Sequence, residues 1–384
     1  MKISDLIRRI VQKAIENQLD TNNKVIILYG ARQVGKTTLV DTILKDRIIK
    51  TVKINADEVR YHDVFTSRDL RKMEELVGNN DLLFIDEAQN IQDIGINIKI
   101  LHDANPMLKI ILTGSSSFEL ANQTSEPLTG RKRTFTLFPI SIGELSGQLT
   151  GFEIKQKLDE YLRFGLYPDI LNTDNIEDKK IRLKELSSSY LYKDVLQLTN
   201  IRNSQKIYKL LQLLALQIGS TVSINKLGNS LNTSNDTVER YIDLLEKSYV
   251  IFRRSGFSRN LSKEISKMDK IYFYDLGIRN AILDNFATIE LRQDSGAMWE
   301  NFIMAERLKC NNYSNNDKRS YFWRTYTGAE IDMIEEADGK LFAFEIKYNN
   351  KTAKTPKTWK ETYNDSEFHT INKDNFLEFI VESE

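Results

Sequence analysis

Eight consecutive residues near the start of the chain carry its most specific chemistry. Gly30 to Thr37 read G-x-x-x-x-G-K-T, with Ala31, Arg32, Gln33 and Val34 between the glycines. This is the P-loop pattern. Glycines at both ends let the backbone wrap a polyphosphate with its N–H groups pointing inward. Lys36 is spaced to reach the β- and γ-phosphates, and Thr37, followed by Thr38, brings a hydroxyl for Mg²⁺. Asp86 and Glu87 end a second apolar run, LLFIDE. An acid at the carboxyl end of a buried strand can hold Mg²⁺ through water, and the next acid can polarise an attacking water. Thr113, at the end of KIILTG, and Ser115 just after it would lie between these motifs and sense the γ-phosphate, although turn chemistry explains the serine nearly as well. Arg131 could reach a phosphate in its own or a neighbouring subunit, or be a plain surface arginine.

A second constellation lies near the other end, in RTYTGAEIDMIEEADGKLFAFEIKYN, residues 324–349. Asp338-Gly339 is a two-residue hairpin signal. Taken as the loop, it makes the numbers of facing residues sum to 677, so Asp332 faces Glu345 and Glu330 faces Lys347. These four share one side of the hairpin, and Ile331, Met333, Phe342, Phe344 and Ile346 line the other. Opposed carboxylates repel unless a cation sits between them. Asp332 with Glu345-x-Lys347 is the arrangement of the PD-(D/E)xK nucleases. There, two carboxylates hold a second Mg²⁺ or Mn²⁺ and a lysine orients or deprotonates water. Glu300, in a preceding helix, is a candidate further ligand. A solvated strand face is the alternative.

The elements that must position these residues follow from periodicity. Apolar runs at 25–28, 48–55, 81–86, 109–114 and 133–138 alternate with helical stretches, which predicts a mostly parallel sheet covered on both faces. Residues 3–19 read as an amphipathic helix that packs on this domain. Residues 141–200 read as a helical lid, in which Asp169 and Asp194 are caps or ion-pair partners. In 201–285, helix, turn, capped helix and hairpin follow one another as in a winged helix. Its hairpin, residues 251–270, holds Arg253, Arg254, Arg259, Lys263, Lys267 and Lys270 against Glu264 and Asp269, a candidate DNA contact.

Composition bounds the rest. A chain of 384 residues is too long for one core. Its 54 basic and 54 acidic residues balance, so any nucleic-acid contact must come from local clustering. The single cysteine, Cys310, rules out an internal disulfide and fits a reducing cytoplasm. Three dispersed histidines argue against a zinc site. No segment reads as a membrane span or a signal peptide.

The order LYGARQVGKTTL, LLFIDEAQNI, ILTGSSS, LTGR with LFPIS, YLYKDV, KIYFYDLG, WEN, YFWR, AEIDMI and FEIK resembles a family of bacterial and archaeal AAA-type ATPases with a C-terminal domain of uncharacterised function and a restriction-endonuclease-like core. One departure is Phe164, where members often carry a second glycine. The resemblance implies an α/β fold: P-loop NTPase sheet (21–140), helical lid, winged helix, and a nuclease-like α/β domain at 286–384. It implies ATP at Gly30, Gly35, Lys36 and Thr37, and Mg²⁺ and water activation at Asp86 and Glu87. It also implies a nuclease-like site at Glu300, Asp332, Glu345 and Lys347. The expected partners are ATP, DNA through the winged helix and C-terminal domain, and a further copy of the chain or another protein.

Overall fold

The computed structural model describes residues 7–115, 124, 126–197, 204–259, 268–314, 316 and 318–381 and, for 189–197 and 204, the backbone alone. Lys263, Glu264 and Lys267, and the side chain of Asp194, lie outside the described residues.

Five strands form the first sheet: β1 (Val25–Tyr29), β2 (Thr51–Asn55), β3 (Leu82–Asp86), β4 (Lys109–Gly114) and β5 (Lys132–Thr136), in the order β2-β3-β4-β1-β5. Every pairing is parallel. Strands buried on both faces need side chains that are apolar throughout, and β1 is VIILY, buried along its whole length. Ile26 and Leu28 point into one core, while Val25, Ile27 and Tyr29 point into the other. Because the strands are parallel, Gly30, Asp86-Glu87 and Thr113 all arrive at the carboxyl edge of the sheet.

The N-terminal helix is Ile10–Thr21, shorter at its start than the sequence pattern suggests. Arg9 caps it in extended backbone, because its side chain reaches back under the P-loop. Helices Leu158–Phe164 and Ile176–Gln197 follow the first sheet. Phe164 stacks on Phe286, centroids 5.7 Å apart, so its ring is used in packing across to the next unit. Gly165, at φ 72°, brings the chain against the Asp275 carboxylate, where a Cβ would collide. That carboxylate accepts the N–H of Leu166 at 2.7 Å, and Asn280 donates to the carbonyls of Leu162 and Arg163. These contacts fuse the helical segment to the one after it.

That next segment runs helix Ser204–Leu216, β6 (Thr221–Val222), helix Ile224–Leu231, helix Asn235–Lys247, β7 (Ile251–Ser255) and β8 (Asp269–Phe273). Its three strands form an antiparallel sheet in the order β6-β8-β7. Then helix Ser295–Tyr313 leads into β9 (Arg319–Arg324), β10 (Glu330–Ala337) and β11 (Lys340–Ile346), with β12 (Glu367–Ile371) parallel to β11. Phe257 N–H donates to Phe322 O at 2.6 Å, so the β7 side of the middle sheet is joined to the last one.

The hairpin register is the one the Asp338-Gly339 turn dictates, with Met333 facing Phe344 and Ala337 facing Lys340. One expectation fails at its base. Between Ile331 and Ile334, β10 carries a bulge against β9, two residues opposing one. Ile331 is thereby turned to the side of Ile334, Trp323 and Trp359, away from Met333, Phe344 and Ile346.

Candidate functional site

The P-loop starts hard against the chain that leaves the neighbouring strand, β5. A Cβ at Gly30 would lie 2.1 Å from the Leu137 carbonyl oxygen, so only glycine fits the turn out of β1. Gly35, at φ 95°, opens helix Lys36–Lys45 without any side-chain cap. An anion at the uncapped end of such a helix meets its free amides and the positive end of its dipole. Ala31 and Val34 are buried beneath the loop, Arg32 is half-buried, and Gln33, Thr37 and Thr38 are exposed at its rim.

Lys36 is nearly buried, its ammonium 2.9 Å from Gly30 O, 3.0 Å from Ala31 O and 3.9 Å from a Glu87 oxygen. The Thr37 hydroxyl donates to Asp86 Oδ2 at 2.8 Å. Thr113 donates to the other Asp86 oxygen and accepts the Glu87 N–H at 3.1 Å. Glu87 sits at φ 52°, and Gln89 Nε2 donates to its Oε2 at 2.6 Å and to the buried Ser115 hydroxyl at 3.2 Å. A hydroxyl and a carboxylate side by side, with an ammonium beside them, is a donor set that fits a Mg²⁺–triphosphate. The signals missed in the sequence are Gln89, inside the quoted DEAQ run, and Arg9.

Arg131 lies away from the phosphate loop of its own chain. It immediately precedes β5, and its carbonyl bonds Val25 at the amino end of β1, whereas the P-loop follows the carboxyl end. The guanidinium pairs with Asp103 at 2.6 Å. A parallel strand about 13 Å long separates it from the phosphate loop of its own chain.

The second constellation does assemble, but around a different cation. Glu300 on helix Ser295–Tyr313, and Glu330 and Asp332 on β10, converge on Lys270 of β8, whose side chain is 1% exposed. Its Nζ lies 2.6 Å from Glu330 Oε1, 3.2 Å from Glu300 Oε1 and 4.0 Å from Asp332 Oδ1. Tyr272 OH donates to Glu300 Oε1 at 2.6 Å, and Ile346 N–H to Asp332 Oδ2 at 2.8 Å. Lys347 pairs with Glu345 at 2.5 Å, not with Glu330 as the register implies, because β11 ends at Ile346. Burial pushes Glu300 up to about 7, with Asp332 adding to the rise against Lys270 and Tyr272. Burial, and then Asp332, also raise Glu345, the cost expected of opposed carboxylates. Among the described residues no group of three or more acids, histidines or cysteines is arranged to hold a metal ion. With a buried ammonium already seated among these acids, the residues present do not fit a divalent cation at Glu300, Asp332 and Glu345.

The described arginines of the basic hairpin are engaged within the chain. Arg253 pairs with Glu239 at 3.2 Å, with Glu246 at 2.9 Å and with Asp243. Arg254 is largely buried, burial lowering its pKa, and Arg259 bonds Glu336 at 2.8 Å.

A P-loop on an interior strand of a parallel sheet, with its acids on the next strand but one, defines an AAA-type ATPase domain. A sequence profile for the AAA domain matches residues 22–146, and profiles for two domains of unknown function, DUF8612 and DUF4143, match 155–288 and 295–377. An uncharacterised protein of Mycobacterium tuberculosis is 30% identical over 331 residues, covering 84% of this chain and 70% of its own. The chain belongs to the family that this protein represents. An uncharacterised protein of Methanocaldococcus jannaschii is 25% identical over 387 residues, covering 95% and 84%. Among solved structures, AMPPCP-bound DnaA from Aquifex aeolicus matches 62% of this chain and 86% of its own, at 15% identity and a TM-score of 0.32. Among the described residues no helix is long and apolar enough to cross a membrane.

Proposed function

We propose that this chain hydrolyses ATP with Mg²⁺ and passes its nucleotide state to its C-terminal half. The observation that carries the reading is the chain of contacts Thr37–Asp86–Thr113–Glu87, which sets a metal-binding pair and a candidate base at one sheet edge. Lys36 binds the β- and γ-phosphates, and the loop amides orient them. Thr37 and Asp86 hold Mg²⁺, which when bound neutralises charge on the phosphate oxygens. Glu87, held by Gln89, orients the attacking water and takes its proton. A cavity of ≈ 500 Å³ beside Gln33, lined by Asp169, Arg182 and Glu185, is room for the nucleoside, whose hydroxyls and amine these carboxylates would accept from. Phosphate release measured with Mg²⁺ tests this. Turnover that persists in Lys36→Ala would remove the P-loop from the reaction.

Residues 201–285 read as a winged helix, supported by the order helix, β6, helix, helix, β7, β8. Residues 286–384 read as restriction-endonuclease-like, supported by a helix, three antiparallel strands and a fourth parallel one. The pairing of Arg253 with three acids and of Arg259 with Glu336 favours an ATP-switched protein-binding module, acting on another protein or a further copy of the chain, over a DNA-binding one. Cys310, a half-buried thiol in no disulfide, suits a reducing cytoplasm. ATP turnover that rises when duplex DNA is added would reverse that preference.

A further inference from the structure

We propose that the Lys270 ammonium stands in the position the sequence assigns to a divalent cation, so that the C-terminal half is a charge-neutralised latch and not a metal-dependent phosphodiesterase. Geometry carries this. Lys270 is delivered from β8, in the middle unit, into acids that belong to the C-terminal unit, and it is 1% exposed. Two of them lie within hydrogen-bond distance of its Nζ, and Asp332 is within ion-pair distance.

One oxygen of each expected ligand is already engaged. Tyr272 OH and Lys270 share Glu300 Oε1, the Ile346 amide holds Asp332 Oδ2, and Lys347 holds Glu345 Oε1. A divalent cation drawn to the remaining oxygens would have to sit against the Lys270 ammonium, a like-charge contact in a buried place. When all are ionised, four carboxylates (Glu300, Glu330, Asp332, Glu345) face three cations, Lys270, Lys347 and Arg324, the last 3.6 Å from Glu330. The repulsion that called for a metal is thus answered within the chain.

Glu300 is also packed closely from the middle unit. Gly219, at φ 72° in the middle unit, packs so near Glu300 that a Cβ there would lie 3.0 Å from its Oε2. The Phe257–Phe322 backbone bond and the Arg259–Glu336 pair fix the two units on either side of the latch. Removing the lysine leaves a buried, uncompensated acid cluster, the charge pattern that a hard divalent cation takes.

The test is Mn²⁺ binding to the full chain, stripped of metal and free of nucleotide, at pH 8, followed by electron paramagnetic resonance. Wild type and Asp332→Asn should be alike and take up no Mn²⁺ at the C-terminal half. Lys270→Met should bind it at least about tenfold more tightly than wild type, with a matching rise in Tm on Mn²⁺ addition. Wild-type Mn²⁺ uptake that Asp332→Asn abolishes, or metal-dependent DNA cleavage that Lys347→Ala abolishes, would overturn the proposal. A folded Lys270→Met that binds no Mn²⁺ would overturn it too. Should that variant fail to fold, the comparison of wild type with Asp332→Asn still decides.

Discussion

Arg9 Nη1 donates to the carbonyl oxygen of Val34 at 2.8 Å, fastening the P-loop to a residue that precedes the first helix. The same guanidinium holds Phe138 O at 2.7 Å and Glu144 Oε1 at 2.9 Å. The segment bearing Phe138 and Glu144 is gripped from the other side by the C-terminal helix. Ile142 N–H donates to Glu306 at 2.6 Å, and Phe138 N–H to Tyr313 OH at 3.3 Å. A buried polar path therefore runs from the phosphate loop to the helix that carries Glu300.

Arg9→Met should be severe. It strips a buried carboxylate, Glu144, of its cation and two carbonyls of their donor, a loss of about 3–5 kcal/mol in stability. Arg9→Lys should recover part of the stability but little ATP affinity, because an ammonium cannot reach Val34, Phe138 and Glu144 at once. Calorimetry and nucleotide titration on the same samples check this. Wild-type affinity in Arg9→Lys would show that the loop does not depend on the fork.

Lys36→Ala and Glu87→Gln should separate binding from chemistry. The first removes the ammonium that meets the phosphates, so both ATP affinity and turnover fall. The second keeps the shape and the Gln89 contact but not the base, so kcat drops by about 10²–10⁴-fold with KM little changed. A Glu87→Gln protein that loses KM and kcat together would make Glu87 a ligand-binding group.

The first sheet was legible because strands buried on both faces write themselves as apolar runs, and the P-loop spacing is set by phosphate geometry. The hairpin register was legible from Asp338-Gly339 alone. What periodicity cannot give is which partner a long cation finds. Arg9, Arg253 and Lys270 all look like surface charges in sequence, yet each is drawn to acids or carbonyls that other elements of the fold contribute. The bulge at Asp332-Met333 was invisible for a similar reason, since it answers to β9 and not to the hairpin's own turn.

Arg253→Ala tests whether the hairpin's charge is structural. Three acids, Glu239, Asp243 and Glu246, lose their shared partner, and the pair is partly exposed, so the expected loss is about 1–3 kcal/mol. Duplex DNA retention at low salt should not change. Weaker retention with an unaltered urea midpoint would place the guanidinium on DNA instead.

Glu300 gives the protein a pH signature. Its carboxyl is raised from 4.5 to about 7, first by burial and then by Asp332, so the folded chain keeps a proton that the unfolded chain releases in that interval. The stability this contributes is full below pH 4.5 and lost as pH rises through about 7. Glu300→Gln cannot titrate there. Its own baseline will differ, since Lys270 and Tyr272 change partners, but the difference in stability between the two proteins should move in favour of the variant between pH 5 and pH 8, by at most about 3 kcal/mol. Paired urea titrations across that range measure the slope. Parallel curves would mean that Glu300 is ionised throughout, held so by a Lys270 ammonium strong enough to outweigh its burial.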